Sequence, residues 1–126
     1  MLDTKWGEIQ FYHDMGAYPK KRTYALEVPS REILKVLALD LLNGNRPQIE
    51  FKVGYSIVNP EDNYNKSIGR NISCEKLKME KFCLEEFICN KPNRWVLEFK
   101  SEKLQVAFRL NPNIGKPYFI FADIYE

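Results

Sequence analysis

The sequence predicts an α+β fold: one domain spanning residues 1–126, mainly an antiparallel sheet of about five to seven strands with two helices packed on it. Three observations carry this. Short runs in which apolar and polar residues alternate recur along the chain, separated by clusters of Gly, Pro and Asn. Two stretches, 31–42 and 66–78, instead repeat their apolar residues at helical spacing. The 126 residues are 44% hydrophobic and 29% charged, which suffices for one core and leaves little room for a second.

Residues 8–12 alternate Ile9 and Phe11 against polar neighbours, and 23–28 repeat the pattern after the loop 16–22, so both read as strands. Pro29 stops the second strand. Ser30 then caps a helix over 31–42, with Glu32 at the positive end of its dipole. Ile33, Leu37 and Leu41 form one apolar row and Leu34, Ala38 and Leu42 the next; Val36 and Leu39 widen the surface, which predicts a helix lying deep against the sheet. Asn43-Gly44-Asn45 supplies its stop.

Residues 49–58 are β-branched and aromatic and read as a strand, Asn59-Pro60-Glu61-Asp62 as a turn, and 66–78 as the second helix, with Ile68 and Ile72 on successive turns. Residues 81–90 fit neither period cleanly, because Phe82, Leu84 and Phe87 are unevenly spaced; a strand is the better assignment. Residues 95–99 and 104–110 alternate across the turn 100–103 and form a hairpin. After the loop 111–117, residues 118–125 close the chain as an aromatic-rich strand. Its apolar residues fall on both faces, so it is expected to be central or paired on both sides.

Cys74, Cys83 and Cys89 are odd in number, form no CxxC pair and have only His13 as a histidine partner, so they read as reduced thiols packed in the core of a cytoplasmic protein. The first residues lack a basic-then-apolar leader pattern, and the apolar stretch 33–42 is interrupted by Lys35 and Asp40, far short of the ~20 residues of a membrane span. The formal charge of +2 excludes both a strongly basic and a strongly acidic protein.

Catalysis is not indicated. His13 beside Asp14 lacks a paired nucleophile, the carboxylate pairs Glu61-Asp62 and Glu85-Glu86 are sequence neighbours instead of facing groups, and the six glycines are scattered singly instead of cradling a phosphate. The expectation is a protein that is no enzyme, with no catalytic residues, metal site or cofactor.

Binding chemistry concentrates at the strand-to-helix junction. Lys66 and Arg70 share a helix face at i and i+4, a spacing able to clamp a carboxylate, a phosphate or an acidic surface. Asp62 and Tyr64 flank them, and Tyr18, Lys20, Lys21 and Arg22 are further candidates for the same surface. A plainer structural assignment competes: Asp62 or Asn65 caps the helix, Tyr64 packs as its staple, and Gly69 lets the helix approach the sheet.

The segment 54–73, through Asn59-Pro60, Asp62, Tyr64, Lys66, Gly69-Arg70 and Ile72, resembles small uncharacterised proteins of bacteriophages and related mobile elements. Ser73 and Lys76 or Lys78 only partly match the small or basic residue that follows the Ile in such proteins. The resemblance implies a protein that binds and inhibits a bacterial host or defence protein, such as a CRISPR-associated nuclease, in the host cytoplasm. The alternative from another class is a nucleic-acid-binding accessory protein. It would use a basic surface around Lys20, Lys21, Arg22, Lys66 and Arg70, with Tyr18 and Tyr64 as stacking faces. The run Tyr118-Phe119-Ile120-Phe121 reads as core packing in preference to an RNA-reading sheet.

Overall fold

A computed structural model describes residues 9–14, 21–58 and 66–124. Seven strands follow one another as a meander: β1 (Ile9–Asp14), β2 (Lys21–Glu27), β3 (Gln48–Val58), β4 (Lys78–Lys91), β5 (Arg94–Lys100), β6 (Leu104–Leu110) and β7 (Tyr118–Ile124). Each pairs antiparallel with the next. Helix α1 (Arg31–Leu42) joins β2 to β3, and α2 (Lys66–Glu75) lies between β3 and β4. The architecture is the predicted α+β one, with the sheet curled into a near-closed barrel.

The curl brings β7 beside β1. The Gln10 side chain bridges them: its Nε2 donates to the Pro117 carbonyl at 2.9 Å and its Oε1 accepts from the Phe119 amide at 2.9 Å. Tyr12 packs its ring against Phe119 and Phe121, centroids 5.9 and 6.0 Å apart. This corrects the expected position of the last strand. β7 is the margin of the sheet, laddered to β6 alone; Phe119 and Ala122 face the core while Tyr118 and Phe121 stand exposed outside.

Alternate positions along the strands point inward except where bulges shift the period in β4 and β7, so the barrel fills with one cluster that includes Tyr24, Leu26, Phe51, Val53, Phe82, Leu84, Leu97, Phe99, Val106 and Phe108. Phe51 stacks on Phe82 at 4.3 Å and meets Phe99 and Phe108 edge-on. Each such side chain contributes ~1.5–3 kcal/mol by leaving water.

Strand β4 absorbs the ambiguous stretch and explains its ambiguity. Its pairing with β5 shifts register between Leu84 and Glu86 and again between Cys89 and Lys91. A bulge inserts one residue, so the inward positions run Phe82, Leu84, then Phe87, and the period of two is broken.

Ser30 caps α1 as expected, its Oγ accepting from the Ile33 amide at 3.3 Å, and Gly44 follows the helix at φ 90°, where a side chain would be strained. Leu34, Leu37 and Ala38 close the end of the barrel where β2 finishes and β3 begins. Arg31 Nη1 donates across that end to the Gly115 carbonyl at 3.2 Å. The helix is nevertheless shallower than its composition predicts: Val36, Leu39 and Leu42 are 59%, 51% and 66% exposed, because the barrel end covers a single face of α1.

Helix α2 lies on the outer face of β2 and β3, where the strands present only small residues. Thr23 pairs with Ser56 and Ala25 with Gly54, and the Ser56 Oγ donates to the Gly69 carbonyl at 3.3 Å. A Cβ on Gly69 would come within 2.6 Å of Thr23 Oγ1, so the close approach expected of that glycine is what the fold uses. The helix stops at Glu75, three residues before the expected end, because Lys78 already belongs to β4.

The cysteines depart from expectation. Cys74 and Cys83 are half-buried, Cys89 is exposed, and all three are free thiols. Partial burial pushes the Cys74 thiol pKa up, which favours its unreactive form. Among the described residues, no helix is long and apolar enough to cross a membrane.

Candidate functional site

Of the residues singled out at the junction and for the same surface, the described ones separate onto the two faces of the sheet. Arg70 lies on the exposed side of α2, its guanidinium 6.0 Å from the centre of the Phe11 ring on β1. Lys66 opens the same helix four residues earlier. Lys21 is exposed at the start of β2. Asp62, Tyr64, Tyr18 and Lys20 lie outside the described residues.

Arg22 goes the other way. Its neighbour Thr23 sits under Gly69 of α2 on the outer face, so strand alternation turns Arg22 inward with Tyr24. Its side chain is only 15% exposed, and Nη1 lies 3.8 Å from the Asp123 carboxylate of β7. Arg22 and Arg70 therefore do not share a surface, and a basic face drawn through both is not formed. Arg22 instead ties β2 to β7 at the barrel end opposite α1.

That end is polar and aromatic. Tyr24 is wholly buried, and its hydroxyl makes no well-formed hydrogen bond among the described residues. Burial pushes its pKa up to about 12, the adjacent Arg22 pulls it back, and Asp123 and Asp14 push it further up. Tyr12 is raised for the same first reason, then by Asp14 and Asp123. Beside this cluster opens a cavity of about 310 Å³, lined by Val53, Tyr55, Lys78, Glu80, Lys103 and Leu104 among others. Ser101 Oγ donates to Glu80 at 3.0 Å and fixes the β5–β6 turn to β4.

His13 Nδ1 lies 3.0 Å from Thr23 Oγ1, a contact that orients the ring against a buried hydroxyl. Among the described residues, no group of His, Cys, Asp and Glu is arranged to hold a metal ion. Glu85 pairs with Arg46 at 2.7 Å near the surface.

Two features escape sequence reasoning. One is the exposed stripe of α1, because helical spacing reveals how much of a helix is apolar but not how much of it a barrel end covers. The other is a row across four strands on the outer face, Ile88–Val96–Arg109–Tyr118, which only the pairing register brings together. The small residues Thr23, Ala25, Gly54 and Ser56 carried a usable signal. Alternating small residues on two strands mark where a helix lands, and hence which face of β2 turns inward.

No protein-family model matches the chain, and neither a curated protein nor a solved structure is significantly similar to it.

Proposed function

We propose that the chain is a protein-binding module and that it engages its partner through the outer stripe of α1. The observation that carries this is the exposure of Val36, Leu39 and Leu42, spaced three apart on a helix whose opposite face and N-cap are already committed. Three large apolar side chains in one row, each more than half exposed, form a patch of the kind that is often functional on a monomer. Lys35 and Asp40 flank it and give it a polar rim. An amphipathic helix of this kind docks by laying its apolar side into a groove of the partner.

The narrower reading, an inhibitor of a bacterial host or defence protein such as a CRISPR-associated nuclease, rests on the resemblance of residues 54–73. An inhibitor of this kind acts by occupying a working surface of its target and needs no chemistry of its own.

The test is affinity capture from a bacterial lysate with the parent chain and with the Leu39→Glu, Leu42→Glu double variant, both checked by thermal melts. Recovery of one stoichiometric protein by the parent, lost in the folded variant, supports the reading. Equal recovery by both would remove α1 from the interface. Concentration-dependent dimerisation of the parent in sedimentation, abolished in the variant, would reassign the stripe to self-association.

A further inference from the structure

Among the described residues, no helix lies on the outer face of β4 to β7, since α2 covers β2 and β3 and α1 closes a barrel end. Along it the register aligns Ile88 with Val96, Val96 with Arg109, and Arg109 with Tyr118. Two adjoining grooves, of about 390 and 330 Å³, share Lys91, Arg94 and Arg109; Lys116 and Tyr118 complete the first, and Ile88, Val96 and Ile120 floor the second. Among the described residues, neither groove has a carboxylate in its lining, against four cations between them. Glu98, the acidic residue on the same face of β5, stands two positions beyond Val96 and accepts a hydrogen bond from Gln105 Nε2 at 2.9 Å.

Tyr118 is 49% exposed, and the Arg109 guanidinium sits 5.8 Å from its ring centre. That contact holds both side chains in place before any ligand arrives, so less rotamer freedom is lost on binding. The free ring edge and face offer a stacking platform, and the cations around it are placed for an anionic backbone.

We infer that this face binds single-stranded nucleic acid, with Arg94, Arg109, Lys91 and Lys116 on phosphates and a base on Tyr118. Charge complementarity requires a polyanion. The exposed aromatic ring and the apolar floor favour one that carries unpaired planar bases over an acidic peptide, whose carboxylates would leave the floor unused. A duplex would present only its phosphates and keep its bases from the ring. This inference uses none of the residues assigned to the protein partner, so the two readings fail separately.

The test is fluorescence anisotropy with labelled oligothymidylate and oligouridylate of about 12 nucleotides across a salt series. Binding that weakens with salt is expected. Arg94→Glu with Arg109→Glu should reduce affinity by more than about tenfold and flatten the slope of log K against log salt by about 1.4, the loss of two phosphate contacts. Tyr118→Ala should weaken binding several-fold with the slope unchanged, and Tyr118→Phe should restore it. Absence of binding at low salt would overturn the inference, as would unchanged affinity in the folded double variant. So would displacement of the oligonucleotide by polyglutamate or by duplex as effectively as by unlabelled single strand.

Discussion

Replacing Gly54 by Ala tests how α2 is seated. Gly54 lies on the outward face of β3 opposite Ala25, beneath the turn that leads from α2 into β4. An added methyl would overlap the Ser73 carbonyl oxygen and come within 2.9 Å of both the Leu77 nitrogen and the Lys76 carbonyl carbon. All three atoms are backbone, so no rotamer change relieves the overlap. Restoring ordinary contact requires that turn to retreat by about 1 Å, in a region packed to crystal-like density. Overpacking against yielding neighbours costs ~1–3 kcal/mol. Ser73 belongs to the last turn of α2, so the helix as a whole must shift on the sheet, which weakens the Ser56 to Gly69 hydrogen bond, itself worth about 1 kcal/mol. The expected loss is therefore ~2–4 kcal/mol, a drop in melting temperature of roughly 10 to 20 °C for a chain of this size. Gly44→Ala is the control: nothing lies within 4 Å of its Cβ position, and its φ of 90° adds only backbone strain of ~1–2 kcal/mol. Urea unfolding of the two variants beside the parent measures both losses. A Gly54→Ala loss no larger than that of Gly44→Ala would mean that α2 does not rest on β3.

Two further outcomes follow from the core and the barrel mouth. Leu37→Ala removes a buried side chain from the closed barrel end and should cost ~2–5 kcal/mol, whereas Leu39→Ala on the exposed stripe should stay within about 0.5 kcal/mol; equal losses in urea would show the helix rotated from its described face. Tyr24 has a folded pKa of about 12 against an ordinary 10.0, chiefly through burial, so the folded state keeps its proton where the unfolded chain has lost it. Its contribution is thus complete below pH 10 and is lost as the pH rises toward 12. Stability should fall across that window in the parent and fall less in Tyr24→Phe, and identical pH profiles would place the phenol in water.

Local signals are legible where the physics is local. The N-cap of α1, the β5–β6 hairpin and strand β3 depend on neighbours in sequence, and they stand within a residue or two of their expected limits. What was not legible depends on the whole sheet. β7 is apolar on both faces because the barrel seam, not a second ladder, covers part of its surroundings, and no window of sequence reports that a sheet has curled. The bulges of β4 hid its period for the same kind of reason, since an inserted residue is defined only against the partner strand. Arg22 and Lys21 looked equivalent in a basic run. Alternation then set one in the barrel mouth and the other outside, and the decisive fact was which neighbour, Thr23 or Tyr24, lay under a helix.

The segregation of charge on the uncovered sheet face bears on function more than the total charge does. The chain has 19 basic and 17 acidic residues, so a surface selected only for solubility should mix the two signs on any patch of modest size. Among the described residues, the two grooves over β4 to β7 instead hold four cations and no carboxylate, with an exposed tyrosine at one end and an apolar floor at the other. Crowding like charges costs stability through repulsion and adds nothing to the core. The α1 stripe departs from a solubilising surface in the opposite sense, with apolar residues where a bare helix face would carry charges. Folding explains the small residues under α2 and the aromatics inside the barrel, because removing either unseats a packed contact. It explains neither the cation-lined row nor the apolar stripe, and those are the two places where the proposed ligands, one anionic and one apolar, would account for residues that the fold does not need.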